Sequence, residues 1–276
     1  MSLAATMAAV NPAAIYDGGF NSTNSTILLR VGNGGAGQSG LIKALADAFI
    51  QSRVANGSDP PRIAWYTSDT TFTIEYLQTG NVDVGITYSE IAEKIAIDQS
   101  IAKSPSYYAF RDHFLIVGPT SNPANLSKSS DVLAMFSDLH AAAEAATSTI
   151  PVRFLSRYDK SATNIKDSFL WISIGQALTV AILLQEYTIT DRGTYLSLDT
   201  SLQNQTTIYK AATDNADYLL LSPAHLLVGK KAAYPDVADA FAKWVASTEG
   251  RKVITDFGRN GQQLYTGVPS TNETTS

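Results

Sequence analysis

The chain contains no cysteine. That excludes a disulfide framework, a cysteine nucleophile and a thiolate metal site, but it leaves the compartment open, because secreted proteins can also lack cysteine. Histidine is scarce. His113, His140 and His225 are scattered, and no H-E-x-x-H or other ligand spacing occurs, which argues against a bound metal cation. No G-x-S-x-G nucleophile elbow is present. No apolar run approaches the roughly 20 residues of a membrane span; "ALTVAILL" (177–184) is far too short. Positive charge is in the minority, with 20 Lys and Arg against 25 Asp and Glu. The net charge of −5 argues against a nucleic-acid or anionic-membrane surface, while permitting a local cationic pocket.

What remains is an ordinary globular balance. With 276 residues, 45% of them hydrophobic and 16% charged, the chain can form one large domain or two lobes. The opening "MSLAATMAAV" has no basic or long apolar region and is expected to be a mature N-terminus from which a signal peptide has been removed. Asn-x-Ser/Thr acceptor sequences at Asn21, Asn24, Asn56, Asn125, Asn204 and Asn272 exceed chance, and most fall in expected surface loops. They make these residues glycosylation candidates and point to an extracellular, secreted protein of a eukaryotic cell, or a periplasmic one if bacterial.

Residues 1–26 lack periodicity and read as a polar tail or arm, as do 267–276. Between them, strand and helix patterns alternate. "ILLRV" (27–31), "RIAWYT" (62–67), "VDVGITY" (82–88), "HFLIVGP" (113–119), "VRFLS" (152–156) and "YLLLS" (218–222) read as strands. Helices are expected over 39–55, with Leu41, Leu45, Ala48 and Phe49 on one stripe and Ser39 as N-cap, and over 72–80, ended by Gly80. Further helices are expected over 131–147, 161–172, 176–187 and, as a pair, 234–258. This alternation implies largely parallel sheet covered by helices. Strands ending in Gly-Pro or Ser-Pro mark where the chain crosses between two lobes, so that two crossing strands serve as a hinge.

Three segments carry candidate chemistry. "RVGNGGAGQSG" (30–40) fits G-x-G-x-x-G at Gly32, Gly34 and Gly37. It is a dinucleotide loop, a tight turn, or a cradle of backbone N–H groups for a small anion. Asp69, the acidic residue a dinucleotide loop would need, comes some 30 positions after Gly37, too far for the usual spacing of about 20. In "FLSRYDKSATNIKDSFLW" (154–171), Ser156, Arg157, Ser161, Thr163 and Asn164 crowd a helix start: either a capped helix with an Arg157–Asp159 surface pair, or an oxyanion site. In "YTITDRGTYLSL" (187–198), Asp191 and Arg192 satisfy each other or the backbone, or Gly193 turns the chain so that Arg192 and Thr194 face a cleft. Trp65, Tyr66 and Tyr88 read as packing residues.

Together these segments resemble the tungstate-binding proteins of bacterial ABC importers, a branch of the type II periplasmic binding proteins. "TITDRGTYLSL" is close to that family's T-L-T-D-R-G-T-Y-L, "SRYDKSATNIKDSFLW" to its S-R-G-D-x-S-G-T-H segment, "TGNVDVGITY" to its G-x-x-D-V strand, and "FRDHFLIVGPTSNPANL" to its N-D-F-V-I-V-G-P segment. The resemblance runs in order from about residue 27 to 265. It implies a two-lobed type II periplasmic-binding-protein-like α/β fold, each lobe a mostly parallel sheet flanked by helices, with a two-strand hinge. Lobe 1 would span 27–116 plus 219–266, and lobe 2 would span 117–218.

By motif, the resemblance nominates Arg157, Ser161, Thr163, Arg192, Gly193 and Thr194 as contacts to a small tetrahedral oxyanion such as tungstate or molybdate. In the first loop the register gives Asn33, Gly34 and Gly35 where the family has a Thr/Ser run, while Ser39 still matches. It also implies no cofactor, no nucleic acid, a monomer, and a membrane importer or receptor as partner. An enzyme acting on a phosphorylated or other anionic small molecule, or a ligand-sensing domain, is the alternative on the same fold.

Overall fold

The structure, a computed structural model, describes residues 10–22, 26–145, 151–156, 163, 185–215, 218–259 and 261–268. The helices expected over 161–172 and 176–187 lie almost wholly outside these residues, as do Arg157 and Ser161.

The first strands are β1 (Ala14–Tyr16), β2 (Ile27–Asn33), β3 (Arg62–Thr67) and β4 (Val84–Thr87), and the first helices α1 (Gly35–Ser39), α2 (Leu41–Ala55), α3 (Thr70–Thr79) and α4 (Glu90–Asp98). Of these elements, β2, α2, β3, α3 and β4 form where the periodicity places them, within a few residues, while β1, α1 and α4 were not expected. The stripe on α2 is rotated from expectation: Leu41, Leu45 and Phe49 are buried as predicted, but Ile42, Ala46 and Ile50 join them in place of Ala48. Ser39 does not cap α2. Gly40, with φ of 100°, breaks the chain between α1 and α2, a conformation open to glycine because it has no Cβ. Gly80 ends α3 in the left-handed conformation as predicted.

A long strand β5 (Tyr107–Pro119) and α5 (Val132–Ala145) follow, then β6 (Phe154–Leu155), β7 (Tyr187–Asp191), α6 (Arg192–Leu196), α7 (Thr200–Gln203), β8 (Thr206–Ala211) and β9 (Leu221–Val228). The chain closes with α8 (Pro235–Ala246), α9 (Thr248–Asp256) and a hairpin of β10 (Gly258–Arg259) and β11 (Gln262–Gln263). Pro235 starts α8, where its missing N–H costs nothing.

Among the described residues the main sheet runs β1-β3-β2-β4-β9-β5-β7-β6, with β8 also on β5. It is mixed rather than mostly parallel, which corrects the expectation. Only β2–β3, β2–β4 and β6–β7 are parallel. The antiparallel pairs involve β1, β5 or β9. β5 and β9 lie side by side where the chain passes between halves. β5 pairs with β9 up to His113, opposite Leu221, and from Phe114 onward with β7 and β8. β1 comes from the segment expected to be a tail. Its three residues pair with the edge of β3, too short a run for periodicity to reveal.

Two cores confirm a two-lobed α/β architecture. The first joins β2, α2 and α8, with Phe49 and Phe241 edge to face at 5.2 Å, and a smaller cluster around Tyr66, Leu77 and Val82 covers the opposite face of the sheet. The second is built only from residues between Phe114 and Leu220, including Met135, Phe136, Tyr187 and Tyr209. Tyr195 and Leu196 of α6 pack into the first core, so the segment 117–218 contributes to both. The G-x-x-D-V motif serves this framework. Asp83, 1% exposed, accepts hydrogen bonds from the Arg30 guanidinium (2.6 and 3.0 Å), the Arg30 N–H (2.7 Å) and the Ala233 N–H (2.7 Å).

Candidate functional site

β2, β3 and β4 are linked by parallel pairing, so they end on one edge of the sheet, where loops meet and ligands bind in open α/β sheets. A cleft of about 170 Å³ lies there. Gly34, Gly35 and Gln38 line it from the loop after β2; Thr67, Ser68, Asp69 and Thr70 from the turn after β3; Ile86 and Tyr88 from the end of β4. Asp112 and Phe114 come from β5, Ser222 from β9, and Asp191 and Thr194 from the β7–α6 junction, with Thr163 beside them.

The glycine pattern of the first loop has a packing role. A Cβ on Gly37 would sit 2.2 Å from the Trp65 indole, which itself donates to the Asn33 carbonyl at 2.9 Å. The Asn33 side chain is fully buried beneath the loop. Its Oδ1 accepts the Gly37 N–H (2.8 Å) and its Nδ2 donates to the Ile86 carbonyl (2.9 Å). Asn33 therefore shapes the loop, while Gly34 and Gly35 face the cleft. The Ser39 hydroxyl lies to the side, donating to the Ala36 carbonyl (2.9 Å) and meeting the Tyr265 hydroxyl (2.8 Å). Asp69 caps α3 by accepting the Phe72 N–H at 2.9 Å.

At the β7–α6 junction Asp191 satisfies the backbone rather than Arg192. Its Oδ1 accepts the Thr194 N–H and its Oδ2 the Thr194 hydroxyl, both at 2.7 Å. Gly193 is buried against the Tyr265 hydroxyl, which a Cβ would approach to 2.8 Å. The partly buried Arg192 does not line the cleft. It makes no hydrogen bond among the described residues and feels the charges of Asp112 and Asp214; burial lowers its pKa from the ordinary value, against those two carboxylates.

The cleft wall has an unusual charge balance. Among the described residues it presents three carboxylates, Asp69, Asp112 and Asp191, and no cation. Burial, then the Asp191 charge, pushes the Asp112 carboxyl well above the usual range; the His113 N–H and Arg192 oppose the rise. Burial and the Asp112 charge also raise the Tyr88 and Tyr265 phenols. Burial lowers the pKa of His113, with help from Arg192 and against its 2.9 Å hydrogen bond to Asp214.

The structure thus brings Gly34, Gly35, Thr163 and Thr194 to one cleft, with Asn33, Ser39, Arg192 and Gly193 behind or beside it. Sequence reasoning missed Thr70 and Asp112. Thr70 is 4% exposed at the first position of α3, and its hydroxyl has no partner among the described residues. The signal was "SDTT" (68–71), hydroxyls at a strand-to-helix turn, the same pattern singled out at 156–164. Asp112 had no local signal. Of the glycosylation candidates, Asn21, Asn56, Asn125 and Asn204 are exposed, and Asn24 and Asn272 lie outside the described residues. No helix among the described residues is long and apolar enough to cross a membrane, and no group of three or more His, Asp or Glu among them could hold a metal ion.

Comparison with known proteins gives a consistent picture. Residues 21–249 match the PBP superfamily domain. A crystal structure described as a periplasmic metal-binding protein is 56% identical, with a TM-score of 0.85, over 93% of this chain and 99% of that one. A Haloferax volcanii protein named as an ABC transporter anion-binding protein is 27% identical over 82% of this chain and 67% of its own length. The tungstate-binding protein TupA of Peptoclostridium acidaminophilum is 25% identical over 68% of each.

Proposed function

The chain belongs to the PBP superfamily, and on that premise we propose that it is a solute-binding protein that captures a small tetrahedral oxyanion in the cleft. The observation that carries this reading is the turn after β3: Thr67, Ser68 and Thr70 line the cleft at the start of a ten-residue helix, and the Thr70 hydroxyl, sealed from solvent, has no partner among the described residues. A hydrated oxyanion is costly to strip of water, so a binding site must replace that shell with fixed donors. Thr70, the Gly34–Gly35 backbone and Thr163 are donors of that kind, and helix starts favour negative charge. Arg192 supplies positive charge from behind the wall, and Arg157 and Ser161 are proposed to complete the site. Thr194 acts mainly by holding Asp191.

Tungstate and molybdate are the ligands we favour, because relatives are named for tungstate and for anions and because a metal oxyanion reconciles these names with that of the 56% identical protein. The reading is of capture without chemistry, outside the cytoplasm, with delivery to a membrane importer or receptor.

Thermal shift and calorimetry against tungstate, molybdate, sulfate, phosphate and NAD test it. An oxyanion raises the melting temperature and NAD does not. Arg157→Ala and Arg192→Ala each remove most of the shift. Thr70→Val lowers affinity about tenfold or more, the scale of one hydrogen bond to a charged group. Indifference of the wild-type protein to every anion would overturn the reading.

A further inference from the structure

A cleft for an anion that is lined by carboxylates needs a reason not to repel its guest. Two of the three carboxylates already have donors: Asp69 accepts the Phe72 N–H, and Asp191 accepts two bonds from Thr194. Asp112 differs. It is 3% exposed and lines the cleft where β5 changes partners. One oxygen is fixed by the His113 N–H at 2.7 Å. The other accepts no hydrogen bond among the described residues, and the residue itself lines the cleft. No arginine or lysine among the described residues forms an ion pair with it.

We propose that Asp112 meets the oxyanion as a neutral carboxyl, donating a hydrogen bond from its other oxygen, so that the cleft holds the anion together with one proton. The inference rests on the oxyanion reading and deepens it. Tungstate, molybdate and sulfate offer only acceptors at neutral pH, so an ionised Asp112 would face them lone pair to lone pair. A protonated one adds a donor and removes a charge. Burial and the neighbouring Asp191 charge already favour the protonated form before any ligand arrives.

Other groups set the field around Asp112. Asp191 and Arg192 face it from the β7–α6 junction, Tyr88 from beyond β4 and Tyr265 from the C-terminal segment. His113 follows it on β5 and is tied to Asp214. Of these, His113 titrates below its ordinary value, at the acid edge of the range, where its protonation favours an anion.

Calorimetric titration with molybdate, repeated with tungstate, between pH 6.5 and 9.5 tests the proposal. Wild-type affinity falls as pH rises, approaching tenfold per unit once free Asp112 ionises. Binding then takes up protons, rising from none toward one, read in the wild-type protein from two buffers of different ionisation enthalpy. Asp112→Asn, whose amide donates without titrating, flattens the profile; any slope left at the acid end belongs to His113. A flat wild-type profile with no proton uptake, or an unchanged slope in Asp112→Asn, overturns the role of Asp112 and leaves oxyanion binding standing. Absence of binding to these two anions, and to sulfate and phosphate, at every pH overturns both.

Discussion

Asp191 and Thr194 form a closed pair in the wall of the cleft: one carboxylate takes both the N–H and the hydroxyl of the same threonine, each at 2.7 Å. Such a cap is worth about 0.5–2 kcal/mol. Thr194→Val keeps the shape and the N–H bond but loses the hydroxyl, so it destabilises the ligand-free protein by about 1 kcal/mol. Urea unfolding measures this. A variant as stable as wild type would free the hydroxyl for the ligand.

Gly37 is required by contact rather than by backbone conformation. Gly37→Ala pushes a methyl into the Trp65 ring, and overpacking of this kind costs about 1–3 kcal/mol. Loop displacement also alters the Trp65 environment, so tryptophan fluorescence shifts along with the unfolding midpoint. Unchanged fluorescence and midpoint would show that the ring gives way freely.

Asp112 and His113 predict opposite pH slopes of stability in the ligand-free protein. The Asp112 pKa is raised in the folded state, so its contribution is present below the unfolded value of about 3.9 and is lost as pH rises toward the folded value. The His113 pKa is lowered, so its contribution is present above about 6.5 and is lost as pH falls toward its folded value. In melting curves from pH 4 to 9, Asp112→Asn therefore gains on wild type as pH rises, and His113→Gln gains as pH falls. Parallel curves for wild type and Asp112→Asn would contradict the buried carboxyl.

Asp83 matters to the frame and not to the ligand. Asp83→Ala leaves Arg30 and the Ala233 N–H without their acceptor, and breaking a buried pair this way costs about 3–5 kcal/mol. At about 2–4 °C per kcal/mol for a protein of this size, melting drops by on the order of 10 °C. Anion affinity at low temperature stays within about twofold of wild type, read by calorimetry; the order of magnitude separates it from Thr70→Val.

The sequence was legible wherever a single element carried its own signal. β3 follows "RIAWYT" residue for residue, and Gly80 and Pro235 punctuate their helices as their backbone chemistry requires. α4, β7 and β8 were not read: "YTITD" is buried along its whole length, so it has no alternation to detect. The family motifs located the cleft loops but not the roles within them. Asn33 and Gly193 come to rest against protein atoms, because those assignments depend on Trp65, Ile86 and Tyr265 arriving from elsewhere.

By itself, then, the sequence determined the α/β alternation, the helix boundaries set by glycine and proline, and the hydroxyl- and glycine-rich turns from which a cleft could be made. Tertiary structure alone decided that the sheet is mixed, that Thr70 keeps a free hydroxyl, and that Asp112 sits beside Asp191 in a buried wall. The reason is range. Turns and caps are settled by contacts a few residues apart, whereas the charge state of a carboxyl is settled by desolvation and by neighbours on other strands, here Asp191, which β5–β7 pairing brings opposite Phe114.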